Sequence, residues 1–232
     1  MLSQHNFLST EEVAKARDAV HQLRNHWVNR ATGMLPFYTL GVASYKDAMT
    51  ADKEIYLQEA KRFNTLLNTH FSWLYERLIT HLTDILQMPV CFTENYALPG
   101  FHIFLAHKAF KIPLATPHFD LQYKLLKWNT TQINTKQLVS FTCAVALPQS
   151  KAGMFYWPIT YEESQTLSLP DLEALQTTRG INFFKYELGK LALHQGLILH
   201  QIAPAKRVHP SDERITLQGH GIVCDGIMHL YW

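Results

Sequence analysis

The feature that most constrains this chain is a change of period at Pro89. Before it, apolar residues recur in steps of three and four. Tyr56, Ala60, Phe63, Leu67, Phe71, Leu74, Leu78, Leu82 and Ile85 form one stripe, which predicts a long amphipathic helix with Thr50 as a possible cap. Ser9-Thr10-Glu11-Glu12 places an acid three residues after a potential cap, and predicts an earlier helix through Val13, Ala16, Val20, Leu23 and Trp27. After Pro89 the chain turns to short β-like runs between Pro, Gly and polar breaks: VCFTENYAL, GFHIFLAH, HFDLQYKLL, QLVSFTCAVAL, GMFYW, KLAL, LILHQI, RITLQGHGIV and IMHLYW. Helices followed by many strands predict a mainly β fold, a barrel or sandwich, with N-terminal helical support.

No repeat or linker divides the chain, so a single domain over 1–232 is expected, with a helical support at 1–88 and a β core at 89–232. One polar segment, 158–186, is long for a connection between neighbouring strands and contains a helix-like DLEALQ; it is expected to act as a lid. At 47% apolar and 17% charged the composition is that of an ordinary globular protein, which excludes disorder. The formal charge of +2 is scattered, so neither nucleic acid nor a membrane surface is an expected partner. Cys91, Cys143 and Cys224 are odd in number and far apart, which fits a reducing compartment. The first residues lack the apolar core of a secretory signal and no stretch has the length of a membrane span, so a cytoplasmic location is expected.

The chemistry lies in ATPHFDLQYK. His118 and Asp120 are two apart, so on an extended chain they point to one side and could converge on a divalent metal. With thirteen histidines in the chain, a single His-x-Asp also arises by chance. A third ligand is available in GLILHQIAP, where Ile198, His200 and Ile202 share a strand face. Two imidazoles and a carboxylate on one face of an octahedral metal leave three positions open, as in non-haem Fe(II) oxygenases. Further on, Arg214 and Thr216 again lie two apart, a guanidinium and a hydroxyl suited to a carboxylate.

The order H-F-D, H eighty residues later and R-I-T fourteen residues beyond resembles the Fe(II)- and 2-oxoglutarate-dependent oxygenase superfamily, over roughly residues 90 to 232. SFTCAVALPQSKAGMFYW and YELGKLALHQGLILHQIAP resemble its strand pairs. The resemblance implies a double-stranded β-helix, or jelly roll, buttressed by helices. It implies that His118, Asp120 and His200 hold Fe(II), that Arg214 and Thr216 bind the distal carboxylate of 2-oxoglutarate, and that O2 is a further co-substrate. Hydroxylation of a C–H bond with release of succinate and CO2 would follow. The alternative is a non-catalytic, or 2-oxoglutarate-independent, cupin-like metal-binding jelly roll.

Other polar residues are weighed against this frame. His194 reads as a strand-end residue before a Gln195-Gly196 turn; His102 and His107 lie on the preceding strand-like run, facing either the pocket or the packing. His220 shares the parity of Arg214, Thr216 and Gln218, which turns it towards the interior. Tyr123 or Lys124 could reach the near carboxylate. Gly33, Gly41 and Gly100 form no phosphate loop, and no GxSxG is present. Nucleic-acid demethylases of the superfamily carry a second arginine where this chain has His220, and halogenating relatives lack the carboxylate that Asp120 supplies. A small molecule, an amino acid or a peptide remains as substrate, and the oligomeric state is left open.

Overall fold

The computed structural model describes residues 2–31, 35–48, 53–113, 115–128, 132–150 and 152–232. Thr50 and Gly33 lie outside the described residues. The helical half contains strand as well. β1 (Ser3–Asn6) leads through a capping box at Ser9 into α1 (Thr10–Gln22), in which the Ser9 side chain accepts from the Glu12 amide and the Glu12 side chain accepts from the Ser9 amide. α1 ends before Trp27, which the helical spacing had included; a 3-10 turn over Arg24–His26 intervenes. There follow β2 (Val28–Asn29), β3 (Phe37–Leu40), the short α2 (Ser44–Asp47) and α3 (Lys53–Leu86). At 1.5 Å per residue α3 runs about 50 Å, with a kink at Phe71 (φ −128°, ψ 16°). The stripe read from the sequence is its buried face: Tyr56, Ala60, Phe63, Leu67, Phe71, Leu74, Leu78 and Leu82 are all buried, joined by Tyr75.

The β half comprises β4 (Val90–Phe92), β5 (Gly100–Leu105), β6 (Ile133–Ala146), β7 (Gly153–Thr160), β8 (Asn182–Lys185), β9 (Lys190–His194), β10 (Ile198–Ile202), β11 (Glu213–Cys224) and β12 (Ile227–Tyr231). These make two sheets. The larger is ordered β1-β9-β6-β11-β5-β3-β2, with β12 beside β11 and β4 beside β12; the smaller is ordered β10-β7-β8. All pairings are antiparallel except β4 with β12. The fold is mainly β, a jelly-roll core with N-terminal helices.

Alternation along the strands sorts the larger sheet into two faces. Phe101 and Ile103 of β5, Phe141, Cys143 and Val145 of β6, Leu191 and Leu193 of β9, and Ile215 and Leu217 of β11 join the apolar residues of α1 and α3 in the main core. The intervening residues turn the other way. Ala144 and Ala192 meet Met154 of β7 and Tyr186 across the space between the sheets. His102, Ser140, Thr142, His194, Arg214, Thr216 and His220 alternate with the core residues, so the interior between the sheets is polar on its larger wall.

Three departures from the sequence reading have local causes. HFDLQYKLL is not a strand: only His118 forms a bridge, with His200, and Gln122–Leu125 is a 3-10 turn. VCFTENYAL is strand only at Val90–Phe92. His107 lies beyond β5, where its Nδ1 accepts the Ala109 amide at 3.2 Å. The segment 158–186 begins within β7, runs through α4 (Tyr161–Ser164), α5 (Leu169–Arg179) and β8, and ends just past β8 at Tyr186, so its ends lie on the β framework as expected. Leu172 and Leu175 of α5 pack with Trp157, Ile159, Leu199 and Phe119, the face of the smaller sheet turned away from His200. α5 therefore buttresses the sheet from outside. Among the described residues no helix is long and apolar enough to cross a membrane.

Gly100 on β5 marks a close approach. A Cβ there would run into the Trp232 ring and come within 2.7 Å of the Leu40 carbonyl. Gly→Ala usually stabilises by narrowing the unfolded ensemble. Here overpacking dominates, and Gly100→Ala is expected to lower the unfolding free energy by about 1 to 3 kcal/mol in urea titrations.

Candidate functional site

The segment carrying His118 is stitched to β10 by backbone. The His118 amide donates to the His200 carbonyl at 2.9 Å and the His200 amide donates back at 3.0 Å; the Asp120 amide donates to the Gly196 carbonyl at 2.8 Å. The segment is thus locally extended, and His118 and Asp120 reach the same side although they lie outside any strand. Gly196 has φ +69°, and a Cβ on it would stand 3.0 Å from Ser140 Oγ and 3.3 Å from Asp120 Cβ, so only glycine fits there without strain. Between Ile198 and His200 the pairing register with β7 shifts, the extra residues lying on the β7 side.

His118, Asp120 and His200 meet as a group that could hold a metal ion, each offering one ligand atom within 4.8 Å of the others. His200 Nε2 lies 3.5 Å from Asp120 Oδ2 and His118 Nε2 3.9 Å from Oδ1. His118 stands on the open side, with 43% of its side chain exposed, while Asp120 and His200 are buried. The Nδ1 atoms of His118 and His200 each sit against a carbonyl, Thr116 O at 2.8 Å and Ile198 O at 2.9 Å. A carbonyl only accepts, so in the neutral ring each Nδ1 carries the proton and each Nε2 keeps a free lone pair. That donor set suits a divalent transition metal.

Two further imidazoles face the same carboxylate. His194 Nε2 lies 3.8 Å and His220 Nδ1 3.9 Å from Asp120 Oδ2. In the larger sheet His220 pairs with Ser140, and Ser140 with His194, which makes one cross-strand row of the three. Ser140 Oγ is 3.1 Å from His220 Nδ1. Burial alone would raise the Asp120 carboxyl, but the imidazoles of His200, His220, His194 and His118 more than reverse this and hold it well below the usual carboxylate range. Burial conversely pulls His194 down to about 3, so its ring is neutral near pH 7.

Arg214 and Thr216 share the interior face of β11 with His220. Arg214 is buried; one guanidinium nitrogen donates to the Gly153 carbonyl at 3.2 Å, Nε has no partner, and the group lies 5.4 Å over the Tyr186 ring. No carboxylate pairs with it among the described residues. Thr216 Oγ1 accepts from Gln218 at 3.2 Å. His102 also faces inward, bonded at 2.5 Å to the Tyr45 hydroxyl; burial, followed by the charges of Arg214, His220, Arg30 and Lys46, lowers its pKa to about 3. Tyr45 is held by α2, whose Asp47 takes a two-pronged ion pair from Arg30. Lys124 turns outward to the Tyr161 hydroxyl at 2.7 Å, and Tyr123 packs on the core.

No model of a known protein family matches the sequence, and no curated protein matches it. Solved structures do. An N-substituted L-amino acid dioxygenase from Burkholderia ambifaria AMMD superposes with TM-score 0.61 at 15% identity, covering 100% of this chain and 86% of that one. The fold is that of the non-haem 2-oxoglutarate-dependent oxygenases. Two others bear this out: SnoK, a non-haem α-ketoglutarate-dependent carbocyclase of nogalamycin biosynthesis (TM-score 0.50, 15% identity, 98% and 79% covered), and EctD from S. alaskensis, solved with 2-oxoglutarate and 5-hydroxyectoine (0.52, 12%, 94% and 71%).

The sequence reading had set His194 aside and did not single out Tyr45, Gln122, Ser140 or Tyr186. Only the parity of β11, which turned His220 inward, gave notice of the extra imidazoles. A buried guanidinium with no anion beside it costs desolvation energy without an offsetting ion pair. Arg214→Met is therefore expected to leave the unfolding free energy of the ligand-free protein unchanged, or to raise it by about 1 to 4 kcal/mol, as measured by urea denaturation.

Proposed function

We propose that this chain is an Fe(II)- and 2-oxoglutarate-dependent oxygenase that uses O2 to hydroxylate an unactivated C–H bond of a small molecule, an amino acid or a peptide, releasing succinate and CO2. One observation carries the proposal: the interior that gathers His118, Asp120 and His200 also buries a guanidinium, that of Arg214, with an unpartnered Nε and no counter-anion among the described residues. A metal-binding jelly roll without a carboxylate ligand gives no account of that uncompensated charge.

In this proposal the two Nε2 atoms and the Asp120 carboxylate hold the metal, and the carbonyls behind each Nδ1 fix the rings for it. Bound there, iron would supply the O2 chemistry that couples breakdown of the 2-oxo acid to substrate oxidation. Arg214 and Thr216 take the distal carboxylate, the fork donating to both oxygens and the hydroxyl adding a bond. Tyr186 backs the guanidinium, and Ala144, Ala192 and Met154 keep water from the space between the sheets. His118, on the open side, marks where a substrate would enter. The chain acts as a single domain, since β1 and β3 of the N-terminal support pair directly with β9 and β5 of the core.

Adding Fe(II) and then 2-oxoglutarate to the metal-free protein without oxygen should give a weak visible charge-transfer band. His118→Ala and His200→Ala should abolish it. Arg214→Ala should keep iron affinity but weaken 2-oxoglutarate about 30-fold or more, for a loss of about 2 to 5 kcal/mol of charged contact. Equal titrations in wild type and Arg214→Ala would favour a cupin-like metal protein that uses no 2-oxo acid.

A further inference from the structure

Four imidazoles surround Asp120, and what bonds to each Nδ1 separates their roles. In His118 and His200 that atom faces a carbonyl, which leaves Nε2 bare. In His194 the arrangement is inverted. The Gly196 amide donates to its Nδ1 at 3.1 Å, so the lone pair is on Nδ1 and, in a neutral ring, the proton is on Nε2. That Nε2 is the atom pointed at Asp120 Oδ2. A protonated nitrogen does not ligate a metal; it donates to a carboxylate. His194 is therefore not a fourth ligand, even though its Nε2 lies as near the carboxylate as that of His118. His220 is not sorted in this way, because Ser140 Oγ can either donate or accept.

We propose that His194 is a positioning residue whose Nε2–H donates to Oδ2 of Asp120 and fixes the plane of that carboxylate. This rests on the assignment of Asp120 to the metal site. The other oxygen already has a donor, Gln122 Nε2, at 3.1 Å from Oδ1. With one donor to each oxygen, rotation about the Cβ–Cγ bond is blocked and the carboxylate presents a single edge to the two bare Nε2 atoms. The present separation of 3.8 Å exceeds a hydrogen bond, and a shift of less than about 1 Å closes it. The ring has little other freedom: it is buried on β9, its Nδ1 is tied to Gly196, and it stands edge-on to His200 with centroids 4.7 Å apart. The loop residue that accepts the Asp120 amide through its carbonyl is this same Gly196, so one turn sets both the backbone of the carboxylate and the tautomer of its donor.

The first test needs no metal. Long-range 1H–15N correlation spectra of the metal-free protein should show His194 as the Nε2–H tautomer, and His118 and His200 as Nδ1–H. A His194 ring protonated on Nδ1 overturns the inference. The second is anaerobic Co(II) titration of the metal-free protein. His194→Leu, similar in bulk but without a donor, should weaken Co(II) binding about 10- to 100-fold. His194→Gln, whose amide nitrogen occupies nearly the place of Nε2, should restore it to within about threefold. The unfolding midpoints of both variants, taken without metal, show whether each is folded; a filling role moves the midpoint and not the affinity of folded protein. Unchanged Co(II) affinity in folded His194→Leu, with His118→Ala still abolishing binding, overturns this inference alone. Co(II) binding that is indifferent to His118→Ala overturns the assigned metal site together with it.

Discussion

The site depends on a pair of backbone hydrogen bonds. His118 and His200 exchange amide and carbonyl at 2.9 and 3.0 Å, and the Asp120 amide adds a third bond to Gly196. Without them a stretch outside the sheets would carry two of the three candidate ligands with nothing to hold them against the third. Such bonds are individually worth about 1 kcal/mol net, but here they are reciprocal and set the position of side chains as well as of backbone. They transmit the order of the smaller sheet, in which β10 pairs with β7, to a segment that has no strand of its own. Gly196 makes the approach possible by its left-handed conformation and its lack of a side chain.

What the sequence made legible follows from how local each signal is. The stripe on α3 was readable because one helix buries it along a single face, so the period is written in consecutive residues. His118 and Asp120 were correctly placed on one side for a reason that survived the wrong element: extended backbone alternates whether or not it belongs to a ladder. β1 was missed because SQHN is an edge strand, polar by composition and defined only by its pairing with β9. His194 was set aside for lying before a turn. The turn is real, and it is what directs the ring, but the row joining His194, Ser140 and His220 exists only in the register of three strands. Tyr45 meets a histidine 57 residues further along the chain, which no local pattern encodes.

The interior separates its charges. Asp120 lies among imidazoles, those of His194, His200 and His220 pulled down by burial, and Arg214 lies over an aromatic ring beside a carbonyl. Neither is paired with the other. In a medium of low dielectric, separated opposite charges orient any polar molecule that enters, so a ligand with a carboxylate at one end and metal-seeking oxygens at the other has one favourable direction. The apolar patch of Ala144, Ala192 and Met154 between the walls has no polar atoms to offer an alternative.

The position of β11 bears on how the chain comes to be folded at all. It lies between β6 and β5, yet it is residues 213–224, far later in sequence than either neighbour. During synthesis the edges of β5 and β6 that will face β11 must therefore wait unpaired, although β3 and β9 can already lie on their other sides, and the sheet that covers the apolar face of α3 stays incomplete until residues 213–224 have emerged. Assembly is governed by late, long-range closure, a regime in which folding is slow and exposed strand edges invite association. In such a chain the helices stay open to association until the last strands of the sheet arrive.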